Sequence, residues 1–156
     1  MPAPSPSGGC DCPSAQPDMA NARVFGVRHA SVGGPRTGYL ERSVEATPEL
    51  LATTAPAPPT HVLRLAATCE ESRCAHFDGT DCGLARNIVA LLPPVVGVLP
   101  RCAIRPQCRW FHQEGRAACL RCPQVVTEMS DAPIELRRAA EPPRSAAPSP
   151  PAAQPA

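Results

Sequence analysis

Cysteine constrains this chain more than any other residue, because seven of its nine cysteines fall between residues 69 and 122. Their spacing is C-x4-C-x7-C-x19-C-x5-C-x10-C-x2-C. The opening residues, MPAPSPSGG, have neither the basic nor the apolar segment of a secretory signal, so we expect a cytoplasmic protein. Thiols are normally kept reduced there. The concentration of cysteines therefore favours metal binding over disulfides.

The apolar interior that this sequence can build is modest, since 156 residues include one Trp, one Tyr and three Phe. Small domains with weak cores often depend on a covalent or metal staple. Both ends are rich in Pro and Ala and cannot bury enough surface to offset the entropy of ordering. We therefore predict disordered tails at 1–21 and 131–156 around a single α+β or mainly α domain at 22–130. Short strands and one short helix are expected over 22–67, and a metal-binding region over 68–127.

Local patterns predict several elements of the first half. Residues 22–44 contain two β-prone segments around a Gly-Gly-Pro turn, which indicates a hairpin. Thr47 precedes Pro48, so a short helix is expected to start there with the hydroxyl as its cap. The segment HVLRLAA at 61–67 alternates in the manner of a strand.

Further patterns predict helices in the second half. Residues 83–92 carry apolar side chains at helical spacing, and Thr80 or Asp81 is the expected cap. Another helix is expected at about 106–113, ended by Gly115, and the segment PVVGVLP is expected to form a helical turn.

Cys102, Cys108, Cys119 and Cys122 form the first predicted ligand set. Cys119-Leu-Arg-Cys122 is a C-x2-C motif, and two intervening residues allow both sulfurs to point into one site. Cys102 and Cys108 are near enough in sequence to complete a four-sulfur site. A dithiol switch between Cys119 and Cys122 is an alternative, although no strand–helix context for such a switch is evident.

Cys69, Cys74, Cys82 and His76 form the second predicted ligand set, three sulfurs and one imidazole. His112 is a spare candidate ligand. The alternative is that it serves as the base of a catalytic pair with Cys108 or Cys119 as the nucleophile. A single site with some buried structural cysteines is the alternative. Cys10 and Cys12 lie in the expected tail and receive no ligand role, because disordered residues lose entropy before they can bind anything.

Five arginines surround the first set, and Glu114 is the one acidic residue among positions 101–122, a formal charge of +4. Four thiolates around Zn²⁺ or around an oxidised [4Fe–4S]²⁺ core carry −2, so the arginines can serve as counter-charges. A nucleic-acid patch with Trp110 and Phe111 as stacking platforms, or a solvated face, is the alternative. The arginines are Arg101, Arg105, Arg109, Arg116 and Arg121.

The irregular cysteine spacing favours an iron–sulfur cluster over zinc, since clusters accept varied loops. The Cys-Pro ending at 122–123 resembles ferredoxin-like ligand ends, and CAIRPQC resembles the C-x5-C element of the WhiB-like regulators over those seven residues alone. We expect a non-enzymatic iron–sulfur protein, an electron carrier or a redox sensor with Trp110 and Phe111 as shields. The alternative is a zinc-stabilised module for a protein or nucleic-acid partner. The longest apolar run, Ile88–Leu99, contains two prolines and is too short for a membrane span.

Overall fold

The structure, a computed structural model, describes residues 9–127 and 134–142. This part of the chain forms a small mixed fold of one four-stranded antiparallel sheet and six helices, which confirms the α+β prediction. The strands are β1 (Asp11–Cys12), β2 (Arg23–His29), β3 (Arg36–Glu45) and β4 (Leu63–Thr68). The helices are α1 (Pro48–Ala52), α2 (Pro59–Val62), α3 (Gly83–Leu91), α4 (Arg109–Glu114), α5 (Arg116–Arg121) and α6 (Ile134–Ala139).

The sheet has the order β1-β4-β2-β3, so β4 lies between two neighbours. The sequence predicted a strand at 61–67; the observed strand covers Leu63–Thr68 and follows α2 directly. Its residues 63–67 are all buried, because both faces of the sheet are covered. Leu63, Leu65 and Ala67 enter one apolar cluster, whereas Ala66 packs on the opposite face with Phe25 and Ile104.

The predicted hairpin and the first helix are confirmed. β2 and β3 pair in antiparallel register from Arg23↔Glu45 to His29↔Arg36. The hydroxyl of Thr47 accepts a hydrogen bond from the amide of Leu50 at 3.2 Å, which satisfies one of the free amides at the start of α1.

The segment expected as an N-terminal tail contributes to the sheet instead. β1 pairs antiparallel with β4 in the register Asp11↔Thr68 and Cys12↔Ala67. Ala15 is fully buried, and its amide donates to the carbonyl of Leu65 at 3.1 Å. The order comes from pairing with a strand some 50 residues away, which local composition does not report. Residues 1–8 of the predicted tail lie outside the described residues.

The segment expected as a C-terminal tail also contains structure within its described part. α6 packs against α3, and Ala139 and Leu136 join the apolar cluster that contains Ile88 and Trp110. The rest of the predicted tail, 131–133 and 143–156, lies outside the described residues, as do residues 128–130.

Two details of the second half differ from the local predictions. α3 is capped by Cys82, whose sulfur accepts from the amide of Ala85 at 3.5 Å; Asp78 instead holds the turn before it. The segment PVVGVLP is coil and lies along α5, where the amide of Val95 donates to the carbonyl of Leu120 at 2.9 Å. None of the helices in the described ranges is both long and apolar enough to cross a membrane.

Candidate metal centre

The four cysteines of the first predicted set face one small cavity of about 20 Å³. They come from separate positions: Cys102 lies in a loop, Cys108 caps α4, Cys119 lies within α5, and Cys122 ends α5. A volume of this size accommodates a single particle about as large as a water molecule. The cavity is lined by aromatic side chains as well, namely Phe25, Tyr39, Trp110 and Phe111.

Arg64 lies buried beneath this cavity, at 2 % exposure. It lies next to Leu63 and Leu65 in β4, and alternation along the strand directs its side chain to the opposite face, toward the cysteines. Its Nη2 donates to the sulfur of Cys122 at 3.2 Å, and Nη1 donates to the carbonyl of Cys122 at 2.8 Å. The guanidinium also stacks over Phe25, with 5.2 Å from its carbon to the ring centroid.

The remaining hydrogen bonds of Arg64 join three further segments. Nη1 donates to Val125 O at 3.0 Å and to the hydroxyl of Thr37 at 3.2 Å, and Nη2 donates to Pro13 O at 2.9 Å. Sequence reasoning missed this residue. The available signal was an arginine in the middle of an otherwise apolar strand, which is a rare place for an unpaired charge.

Several buried donors around the cavity find no acceptor among the described residues. These atoms are Tyr39 OH, Arg64 Nε, Arg105 Nε and Trp110 Nε1. A buried donor without an acceptor costs about 1–3 kcal/mol. The site therefore has more hydrogen-bond donors than acceptors, the arrangement that suits a negatively charged occupant.

Burial raises the pKa of Cys102, of Cys108 and of Cys119. Backbone amides oppose this effect: the amide of Ile104 lowers the pKa of Cys102, and the amides of Phe111 and Trp110 lower that of Cys108. At neutral pH these thiols are therefore protonated, and a metal that binds them must displace the protons.

Amide-to-sulfur contacts over two or three residues recur in both cysteine groups. The amide of Ser14 donates to the sulfur of Cys12 at 3.4 Å, and the amide of Ala85 donates to Cys82. Cys102 and Cys108 face amides in the same relative positions. Such turns stabilise the charged form of a sulfur, which is the form that ligates metals.

The second predicted set lines a larger cavity of about 490 Å³. Cys69, Cys74, Cys82 and His76 all face it, and so does Cys12, which the sequence analysis had set aside. Burial raises the pKa of Cys12 to about 12 and lowers that of His76. Cys10 and Cys12 are two residues apart, the spacing at which side chains of a strand share a face. This spacing indicates a role for Cys12 only once the partner strand β4 is known.

Helix α4 connects the two cysteine groups. Its cap, Cys108, belongs to the first group, and Trp110 in its first turn lines both cavities. Gln113 holds the backbone of Cys82 from both sides, accepting from its amide at 2.7 Å and donating to its carbonyl at 2.9 Å. Arg109 donates to the sulfur of Cys69 at 3.1 Å.

Most of the arginines predicted as counter-charges are bound to nearby groups. Besides its bond to Cys69, Arg109 forms an ion pair with Glu71 at 3.1 Å. Arg105, Arg116 and Arg121 donate to the carbonyls of nearby loops, and Arg101 is exposed. The acceptors of the three are Pro100, Gly97 and Leu92.

The imidazole of His112 contacts the carbonyl of Pro106, 2.7 Å from Nε2.

Each of the two cysteine groups lines a cavity of its own. All nine cysteines lie in the described part of the chain, and all are free thiols. Among residues 9–127 and 134–142, no three His, Cys, Asp or Glu side chains form a ready-made metal site.

Comparison with family models, curated proteins and solved structures finds no match to this chain.

Proposed function

We propose that this chain is a metal-binding protein that holds an iron–sulfur cluster through Cys102, Cys108, Cys119 and Cys122 and acts as an electron carrier or redox sensor. One observation carries the proposal: these four residues line one cavity together with buried donors that have no acceptor in the described part of the chain, and a buried arginine donates to one of their sulfurs. Four thiolates and a [4Fe–4S]²⁺ core carry a net charge of −2. Such a centre supplies acceptors and negative charge where the chain offers donors and positive charge.

The surrounding side chains suit a redox centre. A bound cluster would supply one-electron transfer, and its potential is set by hydrogen bonds to sulfur and by solvent exposure. Arg64 already donates to Cys122, and the buried Nε1 of Trp110 has no acceptor in the described part of the chain, so it can donate to a sulfur of the centre. Phe25 and Phe111 line the cavity with apolar rings. The sequence expectation that Trp110 and Phe111 shield the centre is part of this proposal.

A zinc-stabilised interaction module is the second candidate. The observation that favours it is the cavity volume of about 20 Å³, which matches a single ion better than a cluster. Four thiolates bind Zn²⁺ tetrahedrally with Zn–S distances of about 2.3 Å. In this case the arginines and aromatic rings would stabilise the fold, and the centre would have no redox role.

Anaerobic purification separates the two candidates. A brown protein with broad visible absorption and stoichiometric iron and sulfide supports the cluster, whereas a colourless protein with stoichiometric zinc supports the second candidate. In either case Cys122→Ser should lower metal content and thermal stability together. Cys10→Ser is the matched control, since Cys10 does not line the cavity of the first group. Normal metal content and melting in Cys122→Ser would count against this ligand set.

A further inference from the structure

One cysteine that lines the cavity of the second group, Cys12, lies more than 50 residues before the others in the sequence. We propose that Cys12 is the fourth ligand of a second cysteine-ligated centre, with Cys69, Cys74 and Cys82, and that the neighbouring imidazole of His76 is not a ligand. This inference rests on the proposed function, because it assumes that the chain binds metal through thiolates. It adds a second centre and corrects its ligand set from three sulfurs and one imidazole to four sulfurs.

Strand pairing brings Cys12 to the group. β1 lies against β4 with Cys12 opposite Ala67, and the amide of Cys69 donates to the carbonyl of Cys10 at 2.9 Å. Residues directly opposite on paired strands point to the same face of the sheet, and residues two apart along a strand share a face. Cys12 therefore lies on the face of Ala67 and Cys69. Cys10 shares this face, but of the two tail cysteines only Cys12 lines the 490 Å³ cavity with Cys69.

Burial raises the pKa of Cys12, and the nearby sulfurs of Cys69, Cys82 and Cys74 raise it further. Cys69 is near Cys10 as well, but Cys10 does not line the cavity, whereas Cys12 and the other three sulfurs all do. Of the two tail cysteines, only Cys12 is placed to join the group.

His76 lines the same cavity, but four thiolates already complete the ligand set of a cluster or of a zinc ion. Its Nδ1 is buried without a hydrogen-bond partner in the described part of the chain, so the imidazole is placed to donate to a sulfur of the centre, like the unpaired donors at the first cavity. Cys12 instead accepts from the amide of Ser14, as Cys82 accepts from that of Ala85, so both sulfurs have the amide environment of the first group.

The surroundings can hold a negative centre of cluster size. Arg109 donates to Cys69 from α4, and the indole of Trp110 forms part of the wall. The cavity volume of about 490 Å³ exceeds that beside the first group many times over, so this group has room for a cluster. Binding would release the four thiol protons to solvent, and the cysteines would remain at the thiol oxidation level.

The test is metal content per chain after anaerobic reconstitution of the full chain with sulfide and equal amounts of Fe²⁺ and Fe³⁺, which together give the charge of a [4Fe–4S]²⁺ core. Wild-type protein should hold two centres, and Cys12→Ser and Cys74→Ser should each hold about half as much iron. Cys10→Ser and His76→Gln are the matched controls and should match wild type. In the half-loaded variants the remaining iron belongs to the first group and shows that the fold persists.

Labelling with a maleimide gives a second measurement that needs no variant. In the metal-loaded chain Cys10 should react and Cys12 should be protected, and a chelator should make Cys12 reactive. Full iron content in Cys12→Ser, a halved content in His76→Gln, or labelling of Cys12 in the loaded chain would overturn the inference. If Cys122→Ser removes all the metal that wild type holds, the first centre is supported and the second centre is refuted. A wild-type chain without metal would refute the proposed function itself.

Discussion

Replacement of Arg64 by Met tests whether this side chain stabilises the fold by joining the sheet to the segment that carries the first cysteine group. Methionine keeps the apolar volume and removes the donors. The carbonyls of Pro13 and Val125 would then lose this donor, whereas the carbonyl of Cys122 still accepts from the amide of Val125 at 3.0 Å. At about 1–3 kcal/mol for each of the two buried carbonyls, the range is about 2–6 kcal/mol.

The lower end of this range is expected, for two reasons. A carbonyl has two lone pairs and tolerates partial loss better than an amide does. The substitution also ends the cost of burying a guanidinium, which offsets part of the loss. We therefore expect Arg64→Met to reduce the free energy of unfolding by about 2–3 kcal/mol. At about 2–4 °C per kcal/mol for a chain of this length, Tm should fall by about 4–12 °C.

The assay is thermal melting of the anaerobically purified chain, followed by circular dichroism, with metal content measured in the same samples. Arg86→Met is the matched control, because it also removes a guanidinium, but half of the Arg86 side chain is exposed and its partner Asp78 still accepts from two backbone amides. An exposed ion pair of this kind contributes little to stability, so Tm should change by a few degrees at most. If Arg64→Met melts no lower than Arg86→Met, Arg64 does not join the sheet to the first cysteine group and the reasoning fails.

Two further predictions concern metal removal and acid. A chelator-treated, fully reduced sample should lose its sharp melting transition, because the apolar interior is small; an unchanged transition in circular dichroism would contradict the metal staple. The amides of Asp81 and Thr80 and the guanidinium of Arg86 hold the pKa of Asp78 below its usual range. Its stabilising effect should be present above about pH 4 and be lost as pH falls toward the lowered pKa. The Tm difference between wild type and Asp78→Asn should therefore shrink below pH 4, and a pH-independent difference would contradict this account.

Elements that depend on neighbours in sequence were predictable. The hairpin, the Thr47 cap and the end of α4 at Gly115, where φ is 66°, all follow from local rules. The structure places the members of each predicted ligand set on one cavity, and their role as ligands stays a prediction. Spacing predicts which thiols can meet, because short intervals along the chain limit their separation.

Elements that depend on distant pairing were not predictable. β1 is two residues long and has no pattern of its own; it forms because the edge of β4 accepts it. The inward direction of Arg64 follows from the alternation of β4, but its partners come from residues 13, 37, 122 and 125. The coil at 93–100 is likewise set by contacts with α5 rather than by its own prolines.

The buried position of Arg64 bears on the choice between a structural and a ligand-binding role for the first cysteine group. A protonated guanidinium loses several kcal/mol of hydration when it is buried, and neutral thiols with carbonyls return only part of that loss. If the four thiols become thiolates around a metal, the same guanidinium faces a net negative charge at the 3.2 Å contact with Cys122, and its burial becomes favourable. On the proposed function, Arg64→Met should therefore lower metal affinity as well as stability, whereas a purely structural role lowers stability alone.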